Sequence, residues 1–456
     1  MNRFITTVRN IFSIEELRNR IFYTLFFLLI FRLASFVVLP GVDPFKLADT
    51  DSGGILGLIN TILGGAFNRA SIVALGIMPY ISASIVVQLL TLAVPSFQRM
   101  QKEGESGRRK INQITRVLTI AICLAQSAGY LYSQVIIKEG ALLVQDERFF
   151  IFYSTVILTA GTMFTMWLGE KITEKGIGNG TSMIIMIGII SELPKSLWQE
   201  FISRNDAGGL IFFILELLAL YFVIMGTILL VQAVRRIPIQ YANQVAAGAA
   251  SGRRSLPTKT QRSYLPLKVN AANVMPIIFA QSLMFLPALV FSPLREYSDF
   301  AASMADQFSN FTSLTYNLTF SILIITFTFF YTAIIINPRQ IAEDLKRNNA
   351  FISGVKPGEA TEHYISRVID LITLPGAVFL AVIAILPTLA VLVGVSQGFA
   401  QFYGGTSLII IVGVVLDTLQ QIESYLLNKH YDGMLQTGHV KGRASSVPSF
   451  YTQSDI

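Results

Sequence analysis

The constraint that dominates this sequence is a series of long apolar runs. Read by eye they fall at 21–39, 71–94, 117–137, 149–168, 180–193, 210–234, 271–291, 318–336, 368–393 and 407–427. A bilayer core of about 30 Å is crossed by about 20 residues of helix. Inside it every backbone N–H and C=O must be satisfied by the segment itself, which leaves helices as the outcome for isolated runs of this kind. Of 456 residues, 52% are hydrophobic and 14% charged, whereas a soluble globular chain would carry roughly a quarter charged residues. The sequence is therefore expected to form an all-α, ten-span membrane protein, with the short run at 180–193 as its fifth span. The N-terminus reads as a polar lead into a first span, since Arg3, Arg9, Arg18 and Arg20 are spread too widely for a cleavable leader.

The loops alternate in charge. Arg99, Lys102, Arg108, Arg109, Lys110 and Arg116 lie between the second and third runs. Arg235, Arg236, Arg253, Arg254, Lys259, Arg262 and Lys268 lie between the sixth and seventh, with no acidic residue among them. Arg339, Lys346, Arg347, Lys356 and Arg367 lie between the eighth and ninth. The intervening loops are poor in Lys and Arg. By the positive-inside rule both termini are cytoplasmic, and an even number of spans returns the chain to its starting side.

Several features interrupt this pattern. The stretch 53–67, GGILGLINTILGGAF, is too short to cross and rich in glycine. It is either a re-entrant segment in an internal cavity or a loop lying on the membrane interface. The GIGNG turn at 176–180 opens the fifth run, as a gating point between halves or as an ordinary small-residue contact. Arg32, Glu216 and Asp417 fall inside runs and are too dispersed for a proton relay. Along the second span Ile77, Ile81, Ser84 and Gln88 share one helix face, apolar towards one end and polar towards the other. Such isoleucines either line a pore that seals by dewetting or serve as ordinary core or lipid-facing residues. One cysteine, Cys123, excludes a disulfide framework. His363, His430 and His439 all lie in polar segments, and no phosphate loop, nucleophile elbow or metal motif occurs. The sequence therefore offers no bond-making chemistry and implies no cofactor.

Residues 68–92, NRASIVALGIMPYISASIVVQLLTL, closely resemble the SecY family, the channel subunits of the protein-secretion translocon. Similar matches recur in order along the chain: FRLASFVVLPGVD at 31–43, KEGESGRRKI at 102–111, GTMFTMWLGEKITEKGIGNGTS at 161–182, LPLKVNAANVMPIIF at 265–279, FFYTAIIINPR at 329–339, VKPGE at 355–359 and FYGGTS at 402–407. The resemblance implies two pseudo-symmetric, inverted halves of five helices each, 21–193 and 210–427, around an hourglass pore. An external loop, 194–209, joins the halves. Cytoplasmic segments lie at 1–20 and 428–456, and cytoplasmic loops at about 235–268 and 338–367.

Carried over residue by residue, the resemblance implies a pore ring of Ile77, Ile81, Ile185, Ile278 and Ile410. It implies a plug at about 53–67 that includes Ile59, Asn60, Ile62, Leu63, Gly64 and Gly65. A lateral gate is implied with Ser82 and Gln88 on one side and Gln281 and Leu286 on the other. Arg235, Arg236, Arg253, Arg254, Arg339 and Lys356 fall on the surface that such channels offer to the ribosome and to the motor ATPase SecA. Lys356 stands where the family usually has arginine; it keeps the charge but loses the bidentate fork. The implied partners are SecE and SecG, with signal peptides and nascent chains as substrates and a bacterial inner membrane as the setting. The competing reading is a secondary transporter for a small solute, which also favours inverted repeats and glycine-broken helices.

Overall fold

The computed structural model describes residues 12, 14–48, 55–136, 141–144, 146–204, 209–241, 263–291 and 299–436. The chain begins with α1 (Glu15–Ala34), α2 (Pro44–Ala48) and α3 (Ile55–Ile62). It continues through α4 (Met78–Ala93), α5 (Pro95–Lys102), α6 (Glu105–Leu131), α7 (Glu147–Lys175), α8 (Gly180–Ser203) and α9 (Gly209–Gln232). Strands β1 (Val234–Tyr241) and β2 (Ser263–Lys268) precede α10 (Met275–Phe291), α11 (Asp299–Ser309), α12 (Leu314–Ile335) and α13 (Pro338–Arg347). Strand β3 (Ala350–Ile352), α14 (Glu359–Leu392), α15 (Gln397–Ala400) and α16 (Gly405–Gln436) complete the described chain.

Local chemistry sets several helix boundaries. Asn179 and Asn337 cap α8 and α13 by accepting from Thr181 N and Gln340 N. Proline occupies the first turn of α4, α5 and α13, where its missing N–H is no loss. Polar residues within the apolar helices spend their hydroxyls on their own backbone. Thr119, Thr165, Thr328, Thr332 and Thr373 each donate to the carbonyl four residues back, at 2.7–2.9 Å.

Among the described residues six helices are long and apolar enough to cross a membrane. A seventh counts if α4 and α5, bent by 97° at the break, form one span. This is fewer than the ten runs read from the sequence, and composition explains the difference. Helix α1 carries Glu15, Glu16, Arg18, Arg20 and Arg32 within 20 residues. Helix α10 has 17 residues. Helix α8 is interrupted by Glu192, Pro194 and Lys195, yet it runs on to Ser203, so most of the expected external loop 194–209 is helical. The last helix likewise continues to Gln436, into the segment read as a tail.

The all-α expectation needs one amendment. The two basic loops meet in a three-stranded antiparallel sheet of order β2-β1-β3. Its inner face, with Ile237, Ile239, Leu267 and Ile352 buried, caps the start of α14, where Ile237, Leu267 and Ile352 cluster with Ile365 and Ile369.

Three apolar cores organise the helices. One draws only on residues 38–158 and packs α4, α6 and α7 with the turns around 63–75. A second draws only on residues 220–416 and packs α9, α10, α12, α14 and α16. A third takes residues from both stretches and lies where they meet. Glycines permit the tightest crossings. A Cβ on Gly161 of α7 would fall on the Ile72 carbonyl, and one on Gly180 on the Gly169 carbonyl. Alanine at Gly161 is therefore expected to destabilise the protein by about 1–3 kcal/mol. Gly129→Ala in α6, where a Cβ meets open space, is expected to be neutral or slightly stabilising. Thermal unfolding of the two purified variants measures both outcomes.

Candidate functional site

With α1–α8 taken as a first body and α9–α16 with the strands as a second, the mixed core between them gathers side chains from widely separated elements. Ile77 ends the turn that precedes α4, and Ile81 follows one helical turn later. Ile185 lies in the second turn of α8, after the Asn179 cap. Ile278 lies in the first turn of α10 and Ile410 in the second turn of α16. Ile77, Ile185 and Ile410 are buried in one apolar cluster, and Ile81 and Ile278 are half-buried against it. The five isoleucines singled out from the sequence are thus brought together by four helices. Ile62 from α3 joins them, as do Phe399, Phe402 and Tyr403 from the 397–404 segment. No local pattern in FAQFY at 399–403 marks those aromatics as members of this cluster.

The glycine-rich stretch is enclosed. Residues 61–67 are buried and Asn60 is half-buried; the Ile59 side chain lies outside the described residues, as do 51–54. Leu63 packs into the first body's core, whereas Ile62 faces the mixed core. Gly64 and Gly65 turn the chain at φ +64° and +79°, the left-handed region that favours glycine. The Gly64 carbonyl accepts from Arg32 Nη1 at 3.1 Å and Arg69 Nη2 at 2.9 Å, and the Gly65 carbonyl from Arg69 Nε at 3.0 Å. Both guanidiniums lie over the Phe36 ring, and Arg69 also faces Glu192 at 3.8 Å. Asn60 Oδ1 accepts from the Asn68 amide at 3.0 Å. Across the mixed core, Thr61 Oγ1 hydrogen-bonds to Gln401 Oε1. The charge inside the first run is thus spent on the backbone of this segment.

The seam expected between α4 and the α10–α12 pair holds a small apolar cluster of Ile85, Ala272, Phe279 and Tyr331, with Ile81, Phe327 and Phe330 against it. Among the described residues a side-chain hydrogen bond crosses from α12 to α4, from the Tyr331 hydroxyl to Gln88 Oε1 at 2.9 Å; Gln88 also donates to Ser84 at 3.2 Å. Ser82 and Gln281 are half-buried near this seam, and the Leu286 side chain lies outside the described residues. Tyr331 escaped the sequence reading because a tyrosine in an apolar run looks like an interfacial anchor.

Polar groups tie the same two bodies at both ends of α8. Before its start, the Ile177 amide donates to Thr24 Oγ1 at 3.0 Å and the Gly178 amide to Gln421 Oε1 at 2.8 Å, linking the GIGNG turn to α1 and α16. At its far end Arg204 donates to Glu200 (3.1 Å), to Glu216 of α9 (2.7 Å) and to the Gly394 carbonyl (2.6 Å). Glu200 in turn accepts from the Ser396 amide at 3.1 Å. Asp417, the third charge noted within a run, is half-buried.

The basic residues lie on the sheet and its neighbours. Arg235 and Arg236 are exposed on β1. Arg339 is exposed on α13, bonded to Glu343, and Lys356 is exposed between β3 and α14. Arg253 and Arg254 lie outside the described residues. Among the described residues no group of three or more His, Cys, Asp or Glu side chains could hold a metal.

A family model described as SecY matches residues 71–419. The protein translocase subunit SecY of Staphylococcus aureus (strain NCTC 8325 / PS 47) is 40% identical over 439 residues, covering 94% of this chain and 99% of that protein. Its counterpart from Halalkalibacterium halodurans is 41% identical over 437 residues, with the same coverage. Among solved structures, that of a protein conducting channel aligns with a TM-score of 0.61 at 16% identity, covering 89% of this chain and 92% of that one. Sec61 in the canine ribosome-channel complex from the endoplasmic reticulum aligns at 0.58, again at 16% identity and with the same coverage.

The Arg204 cluster makes a quantitative prediction. Glu200 is 1% exposed and Glu216 8%, so Arg204→Ala strands two buried carboxylates beside each other. The expected cost is about 3 kcal/mol. Combining it with Glu200→Gln should recover part of that loss. Thermal unfolding of the two variants is the measurement.

Proposed function

This chain belongs to the SecY family, and from that premise we propose that it is the channel subunit of a protein translocase, with the isoleucine cluster as its constriction. It conducts unfolded preproteins across the membrane and releases membrane-protein helices sideways into the lipid. The observation that carries this reading is the convergence of Ile77, Ile81, Ile185, Ile278 and Ile410, from four helices, between two bodies that each own a separate apolar core. Branched apolar side chains expel water from a narrow waist and so stop ions, yet they make no bond that a passing chain must break. The segment around Ile59, Asn60, Ile62, Leu63, Gly64 and Gly65 fills the space beside this ring as a plug. The secondary-transporter reading needs polar ligands near the midplane, and isoleucine occupies that place.

Ten spans follow if the bent pair α4–α5 and helices α1, α8 and α10 are counted with the six apolar helices. They divide into inverted halves at the end of α8. The seam of α4 against α10 and α12, with Ser82, Gln88, Gln281 and Leu286, is the lateral gate. One interhelical hydrogen bond in a membrane is worth about 1 kcal/mol, so an apolar signal helix that replaces the lost packing can open this seam. Both termini face the cytoplasm of a bacterial inner membrane.

The basic platform of Arg235, Arg236, Arg253, Arg254, Arg339 and Lys356 is the docking surface. The acid-free loop at 235–268 suits ribosomal RNA phosphate and acidic faces of a motor such as SecA. Ribosome-bound Sec61 among the structural neighbours supports the first partner. SecE and SecG are the expected membrane partners. The chain performs no bond chemistry, and the driving energy comes from the ATPase, the ribosome or the membrane potential.

A photo-crosslinking residue at Ile81 or Ile278 is expected to capture a stalled secretory nascent chain, and the same residue at Leu229, exposed on the outside of α9, is not. Equal capture at all three positions, or uptake of a small solute by liposomes carrying the protein, overturns the reading. At the seam, Tyr331→Phe removes the bond to Gln88 and should let less hydrophobic signal sequences engage. A secretion assay with a graded signal-sequence series reads this out, and an unchanged threshold removes the bond from the gate.

A further inference from the structure

We infer that Gln401 is a positioning residue for the plug: its bond to Thr61 latches the segment to the second body, while a separate set of charged bonds anchors it to the first. The inference rests on reading 55–67 as a plug. The two sides are held in different ways. On the first body, two guanidiniums converge on the Gly64 carbonyl, and Arg69 takes the Gly65 carbonyl as well. Gly188 of α8 passes so close to the Ile62 carbonyl that a Cβ there would overlap it. Hydrogen bonds from a charged donor are about twice as strong as neutral ones, and Arg32, Arg69 and Gly188 all belong to the first body.

On the second body, the Thr61–Gln401 pair is a side-chain hydrogen bond that holds the segment. Thr61 is 8% exposed and Gln401 5%. Thr61 Oγ1 also lies 3.0 Å from the Gly57 carbonyl within its own helix. Gln401 sits in the turn after α15, among Phe399, Phe402 and Tyr403 of the mixed core. A polar pair in such a dry place is favourable only while intact, because either partner left alone lacks water. When the bodies part and the conduit wets, both groups are hydrated and the bond loses its advantage. The latch therefore favours the closed, dry state and yields as the conduit opens, while the guanidinium bonds keep the segment attached on one side.

The test uses the protein purified with its native membrane neighbours and inserted in planar bilayers, where basal anion leak is read. Thr61→Val and Gln401→Leu should each raise the leak about three- to tenfold. The double variant should leak no more than either alone, because both remove the same bond, and Thr61→Ser should restore the seal. Deleting 55–65 tests the plug itself. If that deletion leaves the leak unchanged, the plug reading falls and the latch with it. If the deletion raises the leak but Thr61→Val and Gln401→Leu do not, the latch alone is overturned. As an independent measurement, Thr61→Cys and Gln401→Cys joined by a short reversible thiosulfonate crosslinker should stop translocation until reductant is added. Cys123, fully buried, stays unmodified. Translocation that continues through the tethered protein also overturns the latch.

Discussion

Everything in this architecture depends on what joins its two bodies. The surface where they meet is filled by isoleucine, phenylalanine and valine, and side-chain bonds cross it at few points. Within each body the helices share an extensive apolar core, and glycine lets α7 touch the Ile72 backbone. Between the bodies the contact is non-directional dispersion, which any apolar occupant can replace. A contact of that kind excludes water without directional bonds, and the buried charges of the Arg204 cluster lie apart from it, at the far end of α8.

The polar groups sit where they do not obstruct this. The GIGNG turn joins α1 to α16 before α8 begins, and Arg204 joins α8, α9 and the 394–396 turn at the far end. These two staples lie at opposite ends of one helix and mark an axis along which the bodies stay attached. The seam of α4 with α12 has Gln88 and Tyr331 and otherwise apolar packing. The sheet adds a rigid base. It welds two loops distant in sequence into one basic surface, so a partner that grips it pulls on α10 and α14 together.

The fold was legible in the sequence to different depths. Runs such as 210–234 and 368–393 read directly as helices because hydropathy is a local property. The runs at 21–39, 180–193 and 271–291 were read in the same way, and they form the helices α1, α8 and α10, which fall short of a span by composition or length. The clustering of the five isoleucines was anticipated only through family resemblance. A lone isoleucine in an apolar helix carries no signal of its neighbours, and Ile77 and Ile410 lie more than 300 residues apart. The sequence singled out Gln88 but not its partner Tyr331, and neither member of the Thr61–Gln401 pair, since each bond joins residues across a long sequence separation.

The sequence by itself determined that the chain is apolar and largely helical, because hydropathy and backbone satisfaction in lipid depend on composition along short stretches. It also singled out 53–67 as irregular, through glycine content and length. Only the tertiary structure decided which helices share a core, where the irregular segment is enclosed, and which polar residues pair. Those outcomes depend on close packing between segments remote in the chain, where shape rather than local pattern selects the partner. The β-sheet is the clearest case: β3 has three residues and no strand signature, and it exists because β1 offers it an edge and α14 a floor.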